Sequence, residues 1–258
     1  AWRQPGSAFK PFIYSAALER GFTPMTVVND APLFFDAGAT GSQPWEPKNY
    51  DGKFEGPMPL RTALARSKNM VSIRVLQSVG PDFAQQWVTR FGFEADKHPA
   101  FLTMALGAGS VTPMQMASAF SVFANGGYLT SPLLIAKVAD SKGRVDIFGK
   151  TGTTNDSMDA WFAGFHPSLV AVVWIGYDTP RKLGDRETGG GLALPVWTEY
   201  MAYALKGVPA QELTPPAGVT NIDGDWSFEE FSQGAGVRTL GEIATPGCWL
   251  IYVPQSVS

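Results

Sequence analysis

One cysteine and two histidines in 258 residues leave little material for thiol or metal chemistry. Cys248 alone closes no internal disulfide and builds no cysteine zinc cluster. His98 and His166 each precede a proline in stretches that read as loops, where a turn role is the simpler expectation. A Ser-His-Asp hydrolase is therefore poorly supported, and any nucleophile must look to a lysine or a carboxylate for its base. Positive charge is scarce as well. Twenty Lys and Arg against 23 Asp and Glu give a net charge of −3, so nothing favours a phosphate backbone and nucleic acid is not an expected partner. Long apolar runs are also absent. The longest, Leu169 to Ile175, has the length of a strand and falls far short of the roughly 20 residues that cross a bilayer. Ala1 to Lys10 has no signal-peptide pattern and reads like the interior of a domain, as in a soluble part of an anchored or secreted protein.

What is present suffices for a full core: 45% of residues are hydrophobic and 17% charged, enough for one large domain with or without a small appendage. The stretch from Gln4 to Gly21 reads as a turn feeding a helix, with Phe12, Ile13, Ala16 and Ala17 on one stripe and Gly21 as the cap. Pro11 conflicts with a regular helix starting at Ser7, so an irregular or 3₁₀ first turn is expected. Phe22 to Gly56 is rich in Pro, Gly, Asn and Asp and suggests a long surface excursion with short extended pieces. Helices are expected over Pro59 to Arg66 and Met70 to Ser78, leaving Ser67-Lys68-Asn69 at their junction, and from Thr112-Pro113 to about Phe123. Beyond Asp140 the pattern changes to short β-branched and aromatic segments, Ile147 to Thr153, Asp159 to Phe165 and Leu169 to Tyr177, which predict an antiparallel meander. A helix over Pro195 to Leu205 can lie on that sheet, and the class is α+β. Thr214-Pro215-Pro216 reads as a joint, and the tail beyond it shows one strand-like run, Cys248 to Val253.

Three short motifs carry possible chemistry. Ser7-Ala8-Phe9-Lys10 sets a hydroxyl and an amine on one helical face, where a neutral Lys10 could take the Ser7 proton. Burial and a nearby cation such as Lys150 would favour that neutral form. Alone the motif is weak, since Ser-x-x-Lys arises by chance about once in a chain of this size. Ser67-Lys68-Asn69 supplies a second hydroxyl for proton relay and an amide for a substrate, although such residues beside a helix junction are usually caps. Lys150-Thr151-Gly152-Thr153 is more specific. Gly152 inside an extended run suggests close approach of a ligand or of another backbone, and Lys150, Thr151 and Thr153 suit a carboxylate. The backbone N–H groups of Ser7 and Thr153 could form an oxyanion hole. A surface Lys-Thr-Gly turn is the plain alternative.

Taken together, Ser-x-x-Lys, Ser-x-Asn and Lys-Thr-Gly in this order resemble the signature of the serine penicillin-binding proteins and serine β-lactamases. Wider stretches, Arg3 to Phe12, Thr112 to Ala117, Phe123 to Tyr128, Gly149 to Asp156, Asp159 to Gly164 and Trp174 to Asp178, resemble the transpeptidase domain of class A, bifunctional penicillin-binding proteins of the 1A type. The resemblance implies an antiparallel five-stranded sheet flanked by helices, a mainly helical subdomain, and an active site between them. It implies that Ser7 is acylated by D-alanyl-D-alanine stem peptides of peptidoglycan and by β-lactams. Lys10 would be the base, Ser67 and Lys150 would handle protons, and Asn69 would hold the substrate amide. Lys150, Thr151, Gly152 and Thr153 would bind substrate, with no metal or organic cofactor. It further implies a periplasmic location and a parent protein with a glycosyltransferase domain and a membrane anchor, both absent here. The domain is expected over residues 1–208, with residues missing before 1 and near 143–147, and 209–258 forms a Pro-rich linker and a tail of unassigned role.

Two rival classes remain. A β-lactamase needs a base for its deacylating water, and no convincing Glu-x-x-x-Asn or Tyr-x-Asn segment supplies one, whereas a D,D-carboxypeptidase shares the first half-reaction. A β-lactam-sensing or peptidoglycan-binding module would keep the pocket without turnover.

Overall fold

Pro11 lacks an N–H, so the first turn tightens before the helix proper can begin. In the computed structural model of the chain, which describes residues 2–37, 43–129, 139–140, 146–185, 187–211, 214–222 and 224–240, Gly6–Phe9 is a 3₁₀ turn. It runs into helix α1, Lys10–Glu19. The predicted stripe of Phe12, Ile13, Ala16 and Ala17 is wholly buried. Gly21, at φ +82°, ends the helix in the left-handed region.

The segment after Gly21 departs from the expected surface excursion. Phe22–Asp30 is a nine-residue strand, β1, with Val28 and Asp30 fully buried. It pairs antiparallel with β2, Gly56–Pro59, and parallel with β10, Val237–Leu240. Pro24 lies where the pairing with β10 is irregular, between Phe22 and Val27, which is where a strand tolerates a residue that cannot donate.

Four helices form the mainly helical part. These are α2 (Leu60–Ala65), α3 (Asn69–Val79), α4 (Pro81–Val88) and α5 (Pro113–Ala124). Thr112 closes a capping box on α5: its hydroxyl accepts from Gln115 N at 3.1 Å, and Gln115 Oε1 accepts from Thr112 N at 3.0 Å. Phe9, Phe12, Phe91, Phe93, Phe120 and Phe123 pack ring against ring between these helices.

The meander forms as predicted, from β4 (Phe148–Thr153), β5 (Asp159–His166) and β6 (Leu169–Gly176). Its period of two divides the core. Trp161, Ala163 and Phe165 of β5 join the main helical core. Phe162 faces the other way, onto α6 (Leu194–Ala204), where its ring lies 4.8 Å from Trp197. The α+β class holds, but among the described residues this sheet has three strands where five were expected. The residues ahead of Gly6 add only an isolated bridge, Arg3 with Val111, and β3 (Ala139–Asp140) pairs with β7 (Leu205–Lys206) in a separate ribbon.

Beyond the proline joint the chain forms a hairpin, β8 (Val219–Ile222) and β9 (Asp225–Phe228), before β10 returns to β1. Arg61 on α2 holds Asp225 through Nη1 contacts of 2.8 Å to each carboxylate oxygen. The segment read as linker and tail thus contributes a strand to the body. Residues 141–145 and the run from Cys248 to Val253 lie outside the described residues.

The loop reading holds for His98, whose backbone N–H closes a turn onto the Ala95 carbonyl, and fails for His166. His98 is buried and stacks on Phe9 with ring centroids 4.6 Å apart, a core position that its neighbour Pro99 disguises. His166 ends β5 and is fully buried. Its Nδ1 accepts from Ser168 N at 3.0 Å, so Nε2 carries the proton that it donates to Asp146 at 2.9 Å.

Candidate active site

The junction between α2 and α3 is bent at Ser67, whose φ of +55° is rare for a residue with a side chain. The bend aims the Ser67 carbonyl, the Ser67 hydroxyl and the Asn69 side chain at the first residue of α1. Lys10 Nζ donates to Ser67 O at 2.7 Å and to Asn69 Oδ1 at 2.7 Å, and lies 3.2 Å from Ser67 Oγ. Lys10 is fully buried. Burial first, then the field of Lys150, hold its amine well below the ordinary lysine range, and Asp30 partly offsets them. As a neutral amine it has two N–H bonds and one lone pair. The Ser67 carbonyl and Asn69 Oδ1 can only accept, so they take the two N–H bonds and leave the lone pair for a hydroxyl donor.

Lys150 arrives from the opposite side on β4. Its Nζ lies 3.0 Å from Ser67 Oγ and 3.1 Å from the Thr151 carbonyl, and burial pulls its pKa down to about 8. Lys10, Ser67, Asn69 and Lys150, predicted from three separate motifs, therefore form one hydrogen-bonded cluster. Charge can pass along Lys150, Ser67 and Lys10 without leaving it.

Ser7 is half-buried in the 3₁₀ turn, beside this cluster but not bonded into it. Its hydroxyl makes no hydrogen bond with any described residue, and Lys10, expected as a direct partner, spends its donors on residues 67 and 69. Glycine contacts set the turn against β4. A Cβ on Gly152 would stand 2.3 Å from Pro5 O and 2.9 Å from Ala8 Cβ, so the close approach read from the sequence is that of another backbone. Gly6, at φ +55°, touches Thr153 in turn, where a Cβ would lie 2.6 Å from the Thr153 carbonyl. The backbones around Ser7 and Thr153, the two expected oxyanion donors, are thereby brought together. β4 is an edge strand, and no described strand pairs its outer side. Thr153 Oγ1 accepts from Gly189 N at 3.1 Å, which leaves its own O–H available as a donor.

What lies under Ser67 is not legible in the sequence. Lys68, the middle residue of its motif, is buried and meets Glu55 at 2.7 Å, Asp51 at 3.0 Å and Asp30 at 3.5 Å. Burial opposes its charge, but the bonds from Glu55 and Asp51 and the field of Asp30 outweigh it, and its pKa sits above the ordinary value. Asn49, also buried, accepts from Asn69 N at 2.7 Å and donates to Asp30 at 2.7 Å. The turn-like Asn49-Tyr50-Asp51-Gly52 was the available signal, and nothing in it points to α3.

Residues 3–147 match the family described as the penicillin binding protein transpeptidase domain. The chain is 44% identical over 277 residues to penicillin-binding protein 1A of Neisseria flavescens, covering 89% of this chain and 35% of that protein. Against penicillin-binding protein 1A of Pseudomonas aeruginosa the identity is 36% over 314 residues, with 86% and 38% covered. The chain thus spans little more than a third of these relatives. The crystal structure of penicillin-binding protein 1A from Haemophilus influenzae superposes with a TM-score of 0.78 at 34% identity, over 86% of this chain and 46% of that one.

Proposed function

The chain belongs to the penicillin-binding protein transpeptidase family, as a 1A-like member of the class A group, and from that premise we propose that it is a serine D-alanyl-D-alanine transpeptidase. The observation that carries the proposal is the buried cluster of Lys10, Ser67, Asn69 and Lys150, set beside Ser7 and the open edge of β4. Ser7 Oγ attacks the carbonyl carbon between the two D-alanines of a peptidoglycan stem peptide lying along β4. Its proton passes into the lysine cluster, with Lys10 as the accepting base and Ser67 the hydroxyl that links it to Lys150. The backbone N–H groups of Ser7 and Thr153 receive the charge that develops on oxygen. The C–N bond breaks, the departing D-alanine amine takes up the proton, and an ester on Ser7 remains. An amine of a neighbouring stem peptide then attacks that ester and releases Ser7 with its proton restored.

Lys150 and the hydroxyls of Thr151 and Thr153 hold the terminal carboxylate, and Asn69 holds the substrate amide. β-Lactams acylate the same serine. The working location is the periplasmic face of the inner membrane, in a parent that also carries a glycosyltransferase domain and an anchor. Benzylpenicillin added to the protein should give a one-to-one covalent adduct by intact mass, and peptide mapping should place it on Ser7. An adduct on Ser67, or hydrolysis of the drug without an adduct, would overturn the assignment.

A further inference from the structure

Asn69 is held at both ends by one short segment. Its backbone N–H donates to Asn49 Oδ1 at 2.7 Å, and its side-chain Nδ2 donates to the Lys48 carbonyl at 2.8 Å. Asn49 Oδ1 also receives Met70 N at 3.3 Å, so a side chain some twenty residues away in sequence serves as the N-cap that Lys68, at the start of α3, cannot provide. The other half of the Asn49 amide donates to Asp30 Oδ1 at 2.7 Å and to the Lys53 carbonyl at 2.8 Å. Every neighbour is fixed in kind. The two N–H groups can only donate, and the carboxylate and carbonyl can only accept, so the amide has a single orientation. Asp30 is itself pinned, by Lys68 at 3.5 Å and by Glu55 N at 3.0 Å.

We propose that Asn49 is a positioning residue: anchored on Asp30, it fixes the start of α3, and thereby sets the Asn69 oxygen that holds the Lys10 amine. The consequence for chemistry rests on the function proposed above, and the consequence for the Lys10 site does not. Asn49→Ala removes the cap and the link to Asp30 while leaving all four cluster residues in place. The Lys10 amine then loses a fixed acceptor, and the second-order rate constant for acylation by benzylpenicillin should fall about ten- to a hundredfold. Final adduct stoichiometry should stay at one per chain. A purely structural role would do the reverse, lowering the stoichiometry through unfolded molecules and leaving the rate constant of the rest unchanged.

Asn49→Asp keeps the acceptor for α3 but sets two carboxylates against each other, and should slow acylation similarly. Asp30→Asn combined with Asn49→Asp restores a donor facing an acceptor between these two positions at unchanged net charge, though not the bond to the Lys53 carbonyl, and should recover part of the lost rate. If Asn49→Ala does not fold, this pair decides. Crystal structures of the wild type and of a slowed variant supply a readout independent of acylation: the contact between Lys10 Nζ and Asn69 Oδ1 should lengthen beyond hydrogen-bond range. An unchanged contact with an unchanged rate, or no recovery in the double variant, overturns the proposal. If the wild-type protein is never acylated, the transpeptidase reading fails, and the role of Asn49 is then judged on the crystal structures alone.

Discussion

Replacing Gly152 by alanine tests how closely the Ser7 turn must lie against β4. The added Cβ would stand 2.3 Å from the Pro5 carbonyl, 2.9 Å from Ala8 Cβ and 3.1 Å from Ala8 N, all parts of the turn that presents Ser7. Two of these three neighbours are backbone atoms, so no side chain can swing aside to make room. Relieving the carbonyl contact to ordinary van der Waals range takes about 1 Å of separation between turn and strand, and a displacement of that size in a reacting group can cost about a hundredfold in rate. Overpacking of this kind also destabilises by about 1–3 kcal/mol, or roughly 2–4 °C in melting midpoint per kcal/mol for a chain of this length. The assay is the second-order acylation rate constant with benzylpenicillin, measured alongside a thermal melt at a temperature where the variant is fully folded. A folded Gly152→Ala protein acylated at the wild-type rate would show that the spacing between the Ser7 turn and β4 does not limit the reaction.

Lys10→Arg keeps a positive charge but removes the base, because a guanidinium stays protonated; acylation should fall by at least about a thousandfold in a folded protein, and a near-normal rate would take Lys10 out of that role. Lys68→Met leaves the Asp30 carboxylate buried without its closest cation and should cost about 3–5 kcal/mol in urea unfolding, whereas a loss below about 1 kcal/mol would mean that Asn49 and Glu55 N satisfy Asp30 unaided. The pKa of Lys150 is depressed to about 8 from an ordinary 10.5, so between those values the unfolded chain carries a proton that the folded chain lacks. Stability should therefore rise with pH across that window, and Lys150→Met should flatten the rise; an identical slope in the variant would refute the depressed value.

Local chemistry was the legible part of this chain. Thr112-Pro113, Gly21 and the β-branched and aromatic segments of the meander act on their own neighbours, and those elements stand where their residues place them. The Lys150, Ser67 and Lys10 contacts could be anticipated because three short motifs carry the groups. The illegible part was non-local. β1 hides behind Pro24, Asn29 and Asp30, and becomes a strand only because β2 and β10 flank it. His98 and His166 precede prolines, yet rings of the core and a buried aspartate claim them. In the sequence Lys68 is only the middle residue of Ser67-Lys68-Asn69. Its role comes from three acidic residues of the stretch that had read as a surface excursion, and no periodicity in the sequence reveals that partnership.

The pairing of β10 with β1 also sets an order of events during synthesis. Thr26 and Val237, joined by a hydrogen bond from the threonine hydroxyl, are 211 residues apart. At roughly 5–20 residues per second, the ribosome needs about 10–40 s to deliver the second after the first. β2 emerges early and can cover one edge of β1 along Val27–Asp30, the end that carries the carboxylate beneath Ser67. The other edge waits for nearly the whole described chain to be made, exposed meanwhile to pairing with any other nascent strand.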